Sequence, residues 1–377
     1  MLSIPAKKFH FEKHLILFLI VFHRIALPLR SVIEHAFIEW VKILIMNSHR
    51  KMNKFGFFLL TLILLFTSCR KEKPLIRIGS NLWPGYDFLY LAKEKGFFAE
   101  AGVNVQLFDF VSLSDSRRAF ERGQVDIIAG TIVEMLIIGN NSSIFPQTFY
   151  VADFSNGADV ILGRKPISSI LDLKGKRVGV EPSSLDLLTI NLALKQNQMS
   201  IKDITLVPMA QNGMEENYDR SMVDALCTFP PTSVRIMNKG NANILFNSSQ
   251  IPGYIVDVLI SNKKFIDSRT ADLAKVIECF DRAVQYTKDH PEEALPVIAE
   301  HEQITVKELR EAYNGIAVEE LNHQNQYLRN NGQLFKATQV ALEILKETGV
   351  IQKEIDIQDL INPAPVNFSL TTIRKNE

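Results

Sequence analysis

Five short stretches of the 377-residue chain gather side chains that could hold a small polar molecule. The first is Ser80-Asn81-Leu82-Trp83-Pro84-Gly85-Tyr86. Pro84-Gly85 predicts a turn presenting Trp83 and Tyr86, flat rings that each carry one hydrogen-bond donor. The same tryptophan could instead close the core over the next helix. Gly130-Thr131 opens an apolar helical run. Its free amides and the Thr131 hydroxyl suit an anionic or polar group, and a plain helix cap uses the same atoms. Asp153-Phe154-Ser155-Asn156-Gly157-Ala158-Asp159 offers Asp153, Ser155, Asn156 and Asp159 at the entry to an apolar strand, as binding groups or as an Asx turn. Glu181-Pro182-Ser183-Ser184 lies between a strand and a helix, where Glu181, Ser183 and Ser184 could hold a ligand or cap that helix. Asp257 interrupts the run Tyr-Ile-Val-Asp-Val-Leu-Ile, and a carboxylate there must be paired or face a cleft.

None of these stretches is a catalytic signature. The chain has no G-x-S-x-G elbow, no phosphate loop, no G-x-G-x-x-G and no H-E-x-x-H. No metal site and no cofactor are expected from its motifs. Cys227 and Cys279 sit in apolar contexts, as buried thiols or as one disulfide.

The elements that would position these residues alternate. Strands are predicted at 75–79, 103–108, 126–129 and 149–154, with helices at 88–101, 114–122 (capped by Ser114) and 132–138 between them. The rhythm restarts with a short helix at 168–173, strands at 176–180, 204–207, 224–228 and 243–246, and a helix at 185–195. From Ser268 to about Lys346 the pattern reads helical, with no convincing strand. A β-α rhythm of this kind implies an α/β fold, with mostly parallel sheets flanked by helices. The first four candidate stretches each follow a strand, where ligands bind in open α/β sheets. The apolar runs 158–162 and 254–260 are candidates for crossover strands joining two lobes.

The N-terminus reads as something else. Residues 52–69 begin with a basic Lys54, continue with an uncharged and mostly apolar run from 55 to 66, and end Thr-Ser-Cys. That is the layout of a secretory signal, and the run is too short to span a membrane. Cys69 is placed as in a bacterial lipobox, so it is the expected lipidation site, with 52–68 as the signal peptide. Residues 1–51 are expected to be a leader or a start assigned too early. The formal charge of the whole chain is zero, which gives no general argument for nucleic-acid binding. Residues 1–68 hold nine Lys and Arg against three Asp and Glu, leaving 33 basic and 39 acidic side chains and a net charge of −6 in the remaining 309 residues.

Several segments in order resemble one family. They are Ile-Arg-Ile-Gly-Ser-Asn-Leu-Trp-Pro-Gly-Tyr at 76–86, Leu-Tyr-Leu-Ala-Lys-Glu-Lys-Gly-Phe-Phe at 89–98 and Gly-Gln-Val-Asp at 123–126. Asp-Leu-Lys-Gly-Lys-Arg-Val-Gly-Val-Glu at 172–181, Val-Asp-Ala at 223–225 and Ile-Pro-Gly-Tyr-Ile-Val-Asp-Val-Leu at 251–259 continue it, with the Asp153–Asp159 stretch. Over residues 74–330 the chain resembles the substrate-binding proteins of bacterial ABC importers for nitrate, sulfonates, taurine and thiamine-pyrimidine precursors. The resemblance implies a two-lobed type II periplasmic-binding fold, with lobe 1 at 74–160 and 262–360 and lobe 2 at 161–261. It implies a monomer, anchored by lipid in the periplasm or at the cell surface, that closes on a small molecule and hands it to a permease with its ATPase. Where many members have Tyr-Glu-Pro after Val-Asp-Ala, this chain has Thr228-Phe229-Pro230-Pro231. A rival is an enzyme on the same fold, such as a thiamine-pyrimidine synthase, and another is a sensory lipoprotein without transport. The strand-end loops hold no basic residue apart from Arg164 and Lys165, so the expected ligand is amine-bearing or a neutral heterocycle rather than an inorganic anion.

Overall fold

The computed structural model describes residues 73–376. The expectations for 1–51, for 52–68 and for Cys69 lie outside the described residues. In the described part the chain first forms β1 (Leu75–Asn81), α1 (Asp87–Glu94), α2 (Phe97–Ala101), β2 (Asn104–Phe110), α3 (Leu113–Glu121), β3 (Ile127–Thr131), α4 (Ile132–Asn141) and β4 (Pro146–Ser155). It then builds β5 (Val160–Arg164), β6 (Arg177–Val180), α5 (Leu185–Gln196), β7 (Thr205–Pro208), α6 (Gln211–Asp219), β8 (Ala225–Thr228), α7 (Thr232–Asn238) and β9 (Ala242–Asn247). It returns through β10 (Val256–Asn262), α8 (Lys263–Asp289), α9 (Pro291–His301), α10 (Val306–Tyr313), β11 (Ile316–Val318), α11 (Gln324–Tyr327), α12 (Gln333–Glu347) and α13 (Ala364–Asn376).

These strands make two sheets, ordered β11-β4-β10-β3-β1-β2 and β7-β6-β8-β5-β9. β1 runs parallel to β2 and β3, and β6 runs parallel to β7 and β8. Each sheet carries one inserted antiparallel strand. In the first it is β10, between β3 and β4, and in the second it is β5, between β8 and β9. Each inserted strand is the one that arrives from the other lobe. This exchange is the two-lobed α/β architecture the alternation implies.

Burial explains the strand sequences. Every residue of β3 and of β4 is buried, and helices cover both faces of such a sheet, so β3 reads as an apolar run up to Thr131 and β4 holds one from Phe149 to Ala152. Ile132 to Ile138 of α4 are buried around the whole helix, as expected for a helix inside a core. On the outer layer, the Phe280 ring of α8 meets Phe88 at 5.5 Å and Tyr150 at 5.3 Å, and α13 packs along α8.

The sequence reading and the structure differ in detail. The run at 254–260 brings the chain back from the second lobe, as a crossover strand does, but it does not belong to the second lobe. Its apolar residues are buried by pairing with β3 and β4 as β10, so the second sheet ends with β9 at Asn247. The run at 158–162 carries the chain the other way and enters the second sheet as β5, and the crossovers pass through the connections 156–159 and 248–255. β11 is a three-residue strand on the edge of β4, too short to leave a pattern. α3 is capped by Ser112, whose hydroxyl accepts the Asp115 amide at 3.2 Å, and not by Ser114. Cys227 and Cys279 are separate buried thiols.

The two crossovers are tied to each other. The Ser155 and Ser248 hydroxyls lie 2.8 Å apart, the Gly157 amide donates to Ser248 Oγ at 2.6 Å, and the Ser248 amide donates to the Asp159 carbonyl at 2.9 Å. Replacing Ser248 by alanine removes two of these bonds and leaves the buried Ser155 hydroxyl short of a partner. Ser248→Ala is expected to lower stability by about 1–3 kcal/mol, read as a shift of the urea midpoint.

Candidate functional site

The C-terminal ends of β3 and β4 and the N-terminal end of β10 lie side by side, because β10 runs against both. In register, Asp257 faces Asp153 on one side and Thr131 on the other. Three polar side chains therefore stand in a row at one edge of the first sheet, all almost fully buried. The turn after β1 closes over them. The Trp83 indole donates to Asp153 Oδ2 at 3.1 Å, and the Tyr86 hydroxyl donates to Asp257 Oδ1. Gly85 makes this possible, since a Cβ there would lie 2.0 Å from Asp153 Oδ2 and 2.5 Å from the indole nitrogen.

The second lobe meets this edge. The Phe229 ring, just after β8, stands edge-on to Trp83 at 5.8 Å. The Ser114 amide at the start of α3 donates to Glu181 Oε1 at 2.7 Å, and the Ser114 hydroxyl donates to the Pro182 carbonyl at 3.0 Å. Glu181 follows β6, so both bonds cross from lobe to lobe. The cavity left between the lobes is lined by Asn81, Trp83, Leu113 and Thr131 from the first lobe side, Leu185 and Phe229 from the second, and the buried acids Asp159 and Asp257. Its volume is about 10 Å³, the room of roughly one water.

Burial sets the electrostatics. It pushes the Asp153 and Asp159 carboxyls up to about 7, with the Trp83 and Asp257 bonds opposing it at Asp153 and the Ser155 bond opposing it at Asp159. It raises Asp257 well above the ordinary carboxylate range, and the neighbouring Asp153 charge adds to this. Asp153 and Asp257 are close enough to share a proton. Glu134 is pushed up to about 7 by burial, against the Thr131 hydroxyl bond, and Asp186 is raised well above its usual value by burial. Asp153 Oδ1, Asp159 Oδ2 and Asp257 Oδ2 accept no hydrogen bond from a described N–H or hydroxyl. No lysine or arginine lines the cavity.

The structure sorts the residues named from sequence. Trp83, Thr131, Asp159 and Asp257 line the cavity, and Asp153 and Tyr86 bond to the liners from behind. Thr131 is also the cap of α4, in a reciprocal pair with Glu134. Ser155 is spent on the tie between crossovers. Asn156 is exposed, with its amide on the Gly315 carbonyl, and does not reach the cavity. Ser184 is the cap of α5 and donates to the Glu181 carbonyl, while Ser183 is half-buried in the same turn at a φ of 54°. Glu181 faces Ser114 and not the cavity. Arg164 ends β5 at the far edge of its sheet, over the Tyr218 ring at 4.1 Å. Asn81, Leu113, Leu185 and Phe229 were not named from sequence, and neither were Glu134 and Asp186 behind them. Only Glu134 leaves a local signal, the Thr-x-x-Glu spacing of a capping box.

Comparison with known proteins agrees with this architecture. The family described as NMT1/THI5 like matches residues 83–294. A protein of Bacillus subtilis named as a putative aliphatic sulfonates-binding protein is 24% identical over 336 residues, covering 82% of this chain and 95% of its own. The periplasmic aliphatic sulphonate binding protein SsuA of Escherichia coli superposes with a TM-score of 0.66 at 16% identity, over 76% of this chain and 92% of that one. The periplasmic nitrate-binding protein NrtA of Synechocystis gives 0.65 at 13% identity, over 81% and 90%. The last two likenesses concern the fold.

An acid raised by burial keeps its proton in the folded chain between its unfolded value near pH 4 and its folded value near 7. Such a group favours the folded state at low pH, and that contribution is lost as pH rises through this window. Asp159→Asn removes one such group. The urea midpoint of the native chain is expected to fall relative to that of Asp159→Asn as pH rises from about 5 to about 8.

Proposed function

The chain belongs to the NMT1/THI5-like family, and on that footing we propose that it is an extracytoplasmic solute receptor of an ABC importer, with an amine-bearing small molecule as its ligand. The family and the two-lobed fold support a solute-binding role. The observation that carries the ligand class is the pair of cavity liners Asp159 and Asp257, both buried and each with an oxygen that accepts no bond from a described N–H or hydroxyl. A carboxylate enclosed without a cation is unfavourable, and an ammonium group brings both the charge and several donors. A sulfonate or nitrate at the same place would find no basic side chain to hold it, and would meet a like charge wherever these carboxyls ionise. The flat Trp83 and Phe229 rings would cover the apolar part of such a ligand.

Entry requires the lobes to part at the two crossovers, by hinge bending about the Ser155 and Ser248 tie. Delivery is to a permease and its ATPase. The receptor is held at a bacterial membrane through a lipid on Cys69, after removal of the 52–68 signal. Among the described residues no helix is long and apolar enough to cross a membrane.

A thermal-shift screen of the protein beginning at Arg70 tests the ligand class. Primary amines and aminopyrimidines are expected to raise the midpoint through binding linkage. With one carboxyl titrating near 7, affinity for an amine is expected to fall about tenfold from about pH 8 to about pH 6. Asp257→Asn should weaken it further. Tight binding of nitrate or a sulfonate with no response to amines would overturn the reading. The anchor is checked by mass spectrometry of the membrane fraction: the mature chain should begin at a lipid-modified Cys69, and Cys69→Ala should move the protein out of that fraction.

A further inference from the structure

A second set of buried acids lies outside the cavity lining. Asp87 is the first residue of α1, directly after the turn that carries Trp83 and Tyr86. His301 is the last residue of α9, and Glu302 follows it. We propose that Asp87, His301 and Glu302 form a binding site for one divalent cation.

Glu302 is fully buried against the Asp87 carboxyl and the Trp83 amide, and neither of its carboxylate oxygens makes a hydrogen bond of ordinary geometry to a described residue. Asp87 is 2% exposed, and its Oδ2 is likewise without a partner. Three carboxylate oxygens thus meet in one buried place, and among the described ion pairs His301, with Nδ1 2.9 Å from Asp87 Oδ1, is the one cation that reaches Asp87, while none reaches Glu302. Buried carboxylates are held by hydrogen bonds, by a counter-charge or by a metal. One donor atom from each of Asp87, His301 and Glu302 lies within 4.8 Å of the others, close enough for all three to reach a common ion.

His301 is already oriented. Its Nδ1 is 2.9 Å from Asp87 Oδ1, its Nε2 is 3.4 Å from Asp109 Oδ2, and its ring stacks on Tyr90 at 4.0 Å. A small turn of the imidazole or of Asp87 would present a nitrogen to the ion, while Asp109 stands as an outer partner. The His301 side chain, 10% exposed, is the least buried of the three. Two carboxylates and one imidazole suit Zn²⁺ or Mn²⁺, with water completing the coordination. Bound there, the ion would pin the end of α9 to the turn that places Trp83 and Tyr86. The other acid-and-histidine group, His290, Glu292 and Glu293, is exposed on all three residues and serves as a control.

The test uses the purified full chain, stripped with a chelator and then given ZnCl₂ or MnCl₂ at about pH 7.5. Metal retained after desalting is read by elemental analysis, and affinity by calorimetry. The proposal expects one equivalent in the native chain, in His290→Ala and in the cavity variant Asp257→Asn. It expects affinity to fall about tenfold or more in both Glu302→Gln and His301→Ala, since losing even an outer partner of a metal ligand has that effect. Circular dichroism establishes that both variants are folded, and His301, being the least buried of the three, is the substitution the fold tolerates better. No uptake by the native chain would mean that Asp87 and Glu302 share a proton instead, and would overturn the proposal. So would unchanged affinity in either Glu302→Gln or His301→Ala. Loss in Asp257→Asn would place the metal in the cavity, and loss in His290→Ala would place it on the surface; either outcome also overturns it.

Discussion

The closed site depends on carboxylates buried at the meeting of two sheets with only neutral donors to hold them. Trp83 N–H serves Asp153, Tyr86 O–H serves Asp257, the Ser114 amide serves Glu181, and the Glu181 amide serves Asp186 at 2.7 Å. Neutral donors offset only part of the desolvation of an ionised acid, so the acids hold their protons to unusually high pH. The rest of the local structure answers to this. Gly85 lacks a side chain because Asp153 occupies the space beside it. Tyr86, itself raised well above its usual range by burial and by Asp257, remains a donor.

The sheet exchange is what brings those acids together. Had β10 stayed with the second lobe, Asp257 would lie far from Asp153 and Thr131. By inserting between β3 and β4 it sets one carboxylate from after the excursion beside one from before it. The same excursion leaves Asp159 at the mouth of β5 and Glu181 after β6, so both lobes contribute acid to a shared boundary. The tie between Ser155 and Ser248 holds the two passages together as one hinge.

Much of the architecture is legible in the chain because buried parallel strands and their helices leave strong patterns. The runs Ile127–Ala129 of β3, Phe149–Ala152 of β4 and most of Ile132–Ile138 of α4 are apolar, and the strand ends follow from them. The pairing of β10 is not legible, since Tyr-Ile-Val-Asp-Val-Leu-Ile would suit either sheet and only the partner strands decide. Within the site, Trp83, Asp153 and Asp257 stand out as polar or aromatic groups beside apolar runs. Phe229 does not, because its importance comes from Trp83, 146 positions away, and an aromatic beside two prolines reads as loop. Ser155 and Ser184 look like ligand groups in sequence, yet local backbone and hinge partners use their hydroxyls first. Asn156 faces solvent because the Gly315 carbonyl takes its amide and turns the chain there. Asp87, His301 and Glu302 are unreadable as a group, since more than 200 residues separate the first from the others.

The bonds from Ser114 to Glu181 and Pro182 have a consequence for entry. They join the lobes using atoms of the protein alone, across a cavity with room for about one water. A molecule arriving from solvent finds the entrance shut, however favourable its fit. Whatever enters must first break two bonds that the protein makes with itself.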